Sequence, residues 1–314
     1  MNDLSLSYRK VRYDLRPAKQ VERLMLIDAL RRLASCGFRI ADYQYTGMGS
    51  VHFYDFSLLH RYAGIWRMLS VEASRAIKKR VEFNCPYALI DVKLAKIGSV
   101  IRKVDPALDH LMWLDYDSTL QVSYLADVTQ AISHCKPGSI IIITVDTEPP
   151  KALRSSKQIR DHFVSVFGDL LPANQRLANF TPKQLPWLNA QLIWRAIQRG
   201  LNGQDENEFQ LLFHFLYKDG HRMLTVGGML VNEDVRRRLQ SSTLSSTCYI
   251  RTRIGERPYQ IRVPVITRKE RLYLDSAMPC ADDWMPDEFE IGKRDLRAYR
   301  DIYRFAPQFA ELIL

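Results

Sequence analysis

Apolar residues recur at helical spacing through positions 20–33. Val21, Leu24, Met25, Ile27, Leu30 and Leu33 share one stripe, with Arg23, Arg31 and Arg32 elsewhere on the wheel. After Gly37 the period changes. Mostly apolar, β-rich runs at 38–45, 68–72, 87–92, 111–116 and 139–145 alternate with amphipathic stretches. Five such strands separated by helical segments predict a parallel sheet covered on both faces. Ile140, Ile141, Ile142 and Ile143 are buried on both sides in such a sheet. Lys136, Pro137 and Gly138 break the chain before that run, and Pro149 with Pro150 closes the region.

Beyond it, positions 151–217 read as helical, with Trp187, Leu188, Leu192, Ile193, Trp194 and Ile197 on one stripe and prolines at 172, 182 and 186 dividing it. Positions 247–267 return to alternation. Cys248, Ile250 and Thr252, a turn at Gly255 to Pro258, then Ile261, Val263 and Val265 predict a hairpin, with Pro264 placing its second strand at an edge. A terminal helix follows at 293–303. The expected fold is α/β: a Rossmann-like, open, mainly parallel sheet with a C-terminal antiparallel hairpin and a helical insertion. Its expected parts are a basic segment and helix (1–37), the core (38–150), a helical insertion serving as a substrate lid (151–220), and completion of the sheet with a C-terminal helix (221–314).

Composition adds sign and compartment. The 314 residues hold 45 Lys and Arg against 35 Asp and Glu, a formal net charge of +10, and 46% are hydrophobic. Those proportions exclude a collagenous or largely disordered chain. The excess charge suits a polyanionic partner. Five widely spaced cysteines form no CxxC pair or Cys/His cluster, so neither a zinc site nor a disulfide framework is expected. No apolar run approaches the roughly 20 residues that span a bilayer, and the N-terminus lacks a signal-peptide core. The expectation is a cytoplasmic protein with no membrane partner; the oligomeric state is not legible.

The most informative segment runs Tyr43, Gln44, Tyr45, Thr46, Gly47, Met48, Gly49, Ser50, between the first strand of the sheet and a helix. In open parallel sheets, ligands bind beyond the carboxyl ends of the strands near the point where strand order reverses. Glycines there let a ligand approach the backbone and tolerate positive φ. Three later runs end in acids: Met68 to Glu72, Tyr87 to Asp91, and Leu111 to Asp115, Tyr116 and Asp117. Glu72, a little over twenty residues past the turn, stands where a ribose-binding acid belongs. The plainer reading of any one of these acids is a helix cap.

The turn and its acids resemble the class I S-adenosylmethionine-dependent methyltransferase superfamily, and within it a bacterial O-methyltransferase-like group. The resemblance covers about 38–150 plus the 247–267 hairpin. It implies S-adenosylmethionine as cofactor, held by Tyr45, Gly47, Met48, Gly49 and Ser50 along the methionine part, Glu72 on the ribose, Asp91 on the adenine, and Asp115 near the transferred methyl. The chain departs from the pattern in lacking the acid that opens this loop in the family, and the third glycine. Arg16 or Lys19 would then hold the cofactor carboxylate.

Asp115 and Asp117 are the candidate catalytic residues, orienting or deprotonating an unidentified acceptor. The alternatives are Mg²⁺ ligation by the two acids or capping of the next helix. Arg16, Lys19 and His52 are candidates for contact with substrate or phosphate; His52 follows the turn closely, although a lone His is more often structural. The stretch from Tyr8 to Lys19 mixes Arg9, Lys10, Arg12 and Arg16 with Tyr8 and Tyr13, a combination that suits nucleic acid. A rival reading is therefore a non-catalytic nucleotide- or nucleic-acid-binding protein on this fold, as in bacterial defence. A nicotinamide-dependent oxidoreductase is disfavoured by the missing third glycine.

Overall fold

Ile140–Asp146, the run that reads as doubly buried, is a strand with no exposed residue. The computed structural model describes residues 16–307 apart from 174 and 205. Within them the strands are β1 Gln44–Gly47, β2 Arg67–Glu72, β3 Ile90–Leu94, β4 His110–Thr119, β5 Ile140–Asp146, β6 Glu208–Asp219, β7 His221–Val231 and β8 Tyr259–Ile261. The helices are α1 Pro17–Ala34, α2 Tyr54–Ala63, α3 Lys78–Asn84, α4 Ile97–Ile101, α5 Val122–His134, α6 Ser156–Phe167, α7 Leu185–Leu201, α8 Glu233–Gln240, α9 Arg268–Ala277 and α10 Lys293–Ile302.

The strands of the described residues form one sheet in the order β3-β2-β1-β4-β5-β7-β6-β8. Strands β1 to β5 pair in parallel, and β7 enters antiparallel between β5 and β6. Strand order reverses between β1 and β4, which places a crevice at their carboxyl ends. The Rossmann-like expectation holds.

One face carries Tyr45, Trp113, Ile142, Phe213 and Phe215 into a core with Val21, Met25 and Leu30 of α1 and Phe56 of α2. The other joins Leu114, Ile141 and Ile143 to Val128 and Ile132 of α5 and Leu188, Leu192 and Ile197 of α7. The helical stretch after β5 is thus part of the core, not a detached flap. Gly200 fits α7 against α5, since a Cβ there would lie 2.6 Å from Thr129 O and Ile132 Cβ.

Two sequence expectations need correction. The antiparallel pair is β6–β7, not the 247–267 region, so the insertion is helical only to Leu201 and residues 208–219 belong to the sheet. Phe209, Leu211, Leu212, Phe213, Phe215 and Tyr217 form a nearly continuous buried run, which periodicity cannot distinguish from a buried helix. The predicted hairpin supplies only β8, which pairs in parallel with β6 at the sheet edge. Pro258 and Pro264 flank this strand and lack the N–H donors that would lengthen it.

Helix α1 has Pro17 in its first turn and no side-chain cap of its own. Asp219, at the far end of β6, accepts hydrogen bonds from the backbone N–H of Ala18 at 3.1 Å and of Lys19 at 2.8 Å. A carboxylate there satisfies orphan donors and favours the helix dipole. It fixes the start of α1 beside the carboxyl ends of the central strands.

Candidate active site

The glycine turn leaves the end of β1 at that crevice. A Cβ on Gly47 would lie 2.3 Å from the Tyr45 hydroxyl, and one on Gly49 would lie 2.4 Å from Ser70 Oγ and 3.0 Å from the Phe53 ring. The glycines are there for close approach. Positive φ falls instead on Ser50 and Phe53, at 50° and 48°. Phe53 is fully buried, and its N–H donates to Gly49 O at 2.9 Å, which folds the loop back before α2. Ser70 Oγ is buried beneath the turn without a protein partner among the described residues.

Glu72 ends β2 beside this turn, half-buried, and accepts from the Ser74 N–H at 2.7 Å. Burial raises its carboxyl above the ordinary range, and the charge of Asp117 adds to that. Glu72 and Asp117 therefore face each other electrostatically across the end of β1. Asp91 is placed differently. It is the second residue of β3, whose last residue is Leu94, so it sits about 10 Å short of the tip. Its register partner is Leu69, which puts it on the face opposite Glu72. The acid that ends the apolar run does not end the strand.

Strand β4 likewise continues past Asp115 to Thr119, with a register shift against β5 between the two. Tyr116 points to the other face, stacks on Tyr124 at 3.6 Å between centroids, and donates to Asp127 Oδ2 at 2.7 Å. Asp115 carries an ion pair: Lys19 Nζ lies 2.9 Å from its Oδ2 and 2.8 Å from Glu22 Oε2. Lys19 also sits 4.3 Å above the Trp113 ring. Glu22 accepts from Thr225 Oγ1, and Trp113 Nε1 donates to Thr144 Oγ1 at 3.0 Å.

Arg23 pairs with Asp55 of α2 at 2.5 Å. Burial acts to raise the Asp55 carboxyl, but Arg23, Lys19 and Arg16 outweigh it and hold it below the ordinary range. Glu22, with burial dominant, is pushed up. Helix α1 thereby ties the glycine-turn helix, β4 and the β6–β7 hairpin together through buried charges. Tyr217 OH and Arg23 Nη1 are buried there without hydrogen-bond partners in the described protein.

Of the residues singled out by sequence, the fold brings Tyr45, Gly47, Gly49, Glu72, Asp115, Asp117 and Lys19 to one region. Arg16 stands at the N-cap of α1. Met48 packs toward the core on the α5 face, Ser50 lies within the turn, and His52 is exposed beside it. Residues 8–13 of the basic lead-in lie outside the described residues. Arg236 and Arg237 pair with Glu208, Glu233 and Asp234 on the surface of α8. All five cysteines are free. Among the described residues no three His, Cys, Asp or Glu side chains converge as metal ligands, and no helix is long and apolar enough to cross a membrane.

Sequence reading missed Glu22, Asp55, Tyr217, Asp146 and His221. For Glu22 a signal exists: it sits between Val21 and Met25, in phase with the apolar stripe, where a carboxylate has no reason to be unless it is partnered.

A family described as "Putative O-methyltransferase" matches residues 11–314. The chain belongs to that family. The match spans α1, the glycine turn and the β6–β7 pair, and it makes the protein an S-adenosylmethionine-dependent methyltransferase, as the turn and its acids suggest. No curated protein matches the methyltransferase in sequence. Similar solved structures include the O-methyltransferase from Bacillus cereus in complex with SAH, at 13% identity over 72% of this chain and 87% of that one, with a TM-score of 0.41. Another is the plantazolicin methyltransferase BamL, in complex with a triazolic desmethylPZN analog and SAH, at 12% identity over 64% and 69%, with a TM-score of 0.42. A third is the fibrillarin pre-rRNA processing protein of Methanococcus jannaschii, at 12% over 62% and 70%, with a TM-score of 0.36.

Proposed function

We propose that this methyltransferase holds S-adenosylmethionine across the Gly47–Gly49 turn and transfers its methyl group to an oxygen acceptor beyond the ends of β4 and β5. The observation that carries this reading is the placement of Glu72 and Asp115 on either side of a turn whose two glycines admit no side chain. Glu72 would take the ribose hydroxyls, which donate to a carboxylate at this position in sheets of this kind. Tyr45 and Ser70 support the turn from below. The buried Ser70 hydroxyl, lacking a protein partner, fits a polar ligand at the turn.

The amino-acid end of the cofactor would lie toward α1. There Arg16, at the N-cap of α1, and the partly exposed Asp115 offer both signs of charge, which matches a zwitterion and replaces the missing acid of the loop, while the buried Lys19 holds Asp115 in place. Asp91 has no part in this reading, because its strand continues past it on the opposite face. The cofactor supplies an electrophilic methyl; the protein supplies alignment of the acceptor behind it.

The helical insertion contributes walls to this end of the sheet. Between α6, α7 and the ends of β4 and β5 lies a cavity of about 20 Å³, bordered by Thr119, Asp146, His162, Phe163 and Asn189. That is room for about one water, so an acceptor would approach from outside it. Isothermal calorimetry with S-adenosylmethionine and S-adenosylhomocysteine tests the reading: binding of both supports it, and binding of neither rejects it.

A further inference from the structure

We propose that His221, oriented by Asp146, is the base that receives the acceptor's proton, so that the acceptor is an alcohol or a phenol. This deepens the methyltransferase reading and rests on it. His221 opens β7 and its Nδ1 lies 2.6 Å from Asp146 Oδ2. The carboxylate can only accept, so Nδ1–H donates, and the neutral ring carries its lone pair on Nε2. Asp146 is 7% exposed while the His221 side chain is 62% exposed. An orienting carboxylate sits inside the protein, and a proton acceptor stands outside it.

The carboxylate of the dyad is firmly held. The second oxygen of Asp146 accepts from the Glu148 N–H at 2.7 Å, which fixes the carboxylate plane. Thr147 donates to Arg222 O through both its backbone N–H, at 2.8 Å, and its hydroxyl, at 3.0 Å, clamping the end of β5 to the start of β7. Glu148 and Lys218 pair at 3.7 Å nearby, and Asp219 is occupied with the start of α1. Nucleophile-and-base systems use the same logic, with a buried acid choosing the tautomer of a histidine whose other nitrogen meets the substrate.

Position agrees with the role. Asp115 pairs in register with Thr144, and Asp146 lies two residues further along β5 on the same face. One strand across and two residues along is about 8 Å. Past the register shift Asp146 pairs with Thr119, the last residue of β4, so the dyad stands level with the β4 end, on the side of that strand away from the glycine turn. Asp115 itself already pairs with Lys19, which makes it a weak candidate for taking a proton.

The step balances. The acceptor O–H proton passes to His221 Nε2 and the oxygen lone pair forms the O–C bond. The C–S bond breaks and its electron pair stays on sulfur. A methyl ether, S-adenosylhomocysteine and an imidazolium facing Asp146 result. A carboxylate acceptor, already ionised near neutrality, would need no such base; a hydroxyl does.

The test needs no acceptor. The full chain binds S-adenosylmethionine carrying a ¹³C-labelled methyl, with affinity read by calorimetry and proximity by nuclear Overhauser effects from that methyl. One oxygen between methyl and imidazole sets a separation of about 6 Å or less. The expected result is a methyl contact to the His221 ring that vanishes in His221→Gln, with cofactor affinity kept within about twofold. In Asp146→Asn the downfield Nδ1–H resonance of His221 should move upfield, the signature of lost orientation. Bound cofactor whose methyl contacts other residues and never His221 overturns the proposal. So does a tenfold loss of affinity in His221→Gln, or an unmoved Nδ1–H resonance in Asp146→Asn. Absence of cofactor binding rejects the methyltransferase reading, and this proposal with it.

Discussion

Lys19 Nζ lies 2.9 Å from Asp115 Oδ2, an ion pair that joins the first helix to the fourth strand within the crevice. Lys19 and Glu22 are almost fully buried, and the lysine serves both carboxylates. Removing it would leave two acids facing each other without a cation. Lys19→Met should destabilise the fold by about 3 kcal/mol, read as a lower urea midpoint at unchanged m-value. The pair Lys19→Met with Glu22→Leu should recover part of that loss, because it removes a stranded charge as well.

Gly47→Ala places a methyl against the Tyr45 hydroxyl. We expect a loss of about 1–3 kcal/mol, measured by chemical denaturation, and a less than additive loss in combination with Tyr45→Leu, which removes both the hydroxyl and the ring carbon 2.6 Å from that methyl. Without coupling between the two substitutions, the account of the turn as a close-packed contact would be wrong.

Glu72→Ala should weaken S-adenosylmethionine binding about 10- to 100-fold, the worth of a charge-assisted hydrogen bond to the ribose. Calorimetry reads it directly. Asp91→Ala should leave affinity unchanged, since Asp91 lies below the strand tip on the other face. Equal losses in the two variants would reverse the roles drawn from the register.

Stability should depend on His214. Burial, reinforced by Arg251, lowers its imidazole from the ordinary 6.5 to about 4. The unfolded chain therefore takes up a proton that the folded chain refuses between those values. Its contribution falls as pH drops from about 6.5 to about 4, by roughly 3 kcal/mol in total. His214→Gln should flatten this part of the profile, seen as a smaller difference between urea midpoints at pH 7 and pH 5.

Much of the fold is legible in the chain. The isoleucine run, the breaker before it and the alternation of strand and helix identify the parallel half, because strands buried on both faces must be continuously apolar. The β6–β7 pair escapes for the same reason: an apolar run from Phe209 to Tyr217 carries no period of its own. Glu72 is legible because its strand ends where its apolar run ends. Asp91 misleads because β3 is an edge strand whose exposed face tolerates Asp91 and Lys93 in mid-strand. The charges of α1 look like a solvated face until tertiary packing turns them inward onto Asp115 and Asp55. The His221–Asp146 pair joins residues 75 apart in sequence, a proximity made only by the β5–β7 pairing.

We place S-adenosylmethionine in the crevice around Gly47, Gly49 and Glu72. Calorimetric titration of the intact protein with S-adenosylhomocysteine, with NAD in a parallel cell, decides whether it binds there. One-to-one binding of S-adenosylhomocysteine that weakens in Glu72→Ala, with no heat from NAD, is expected. Binding of NAD with none of S-adenosylhomocysteine would overturn this placement.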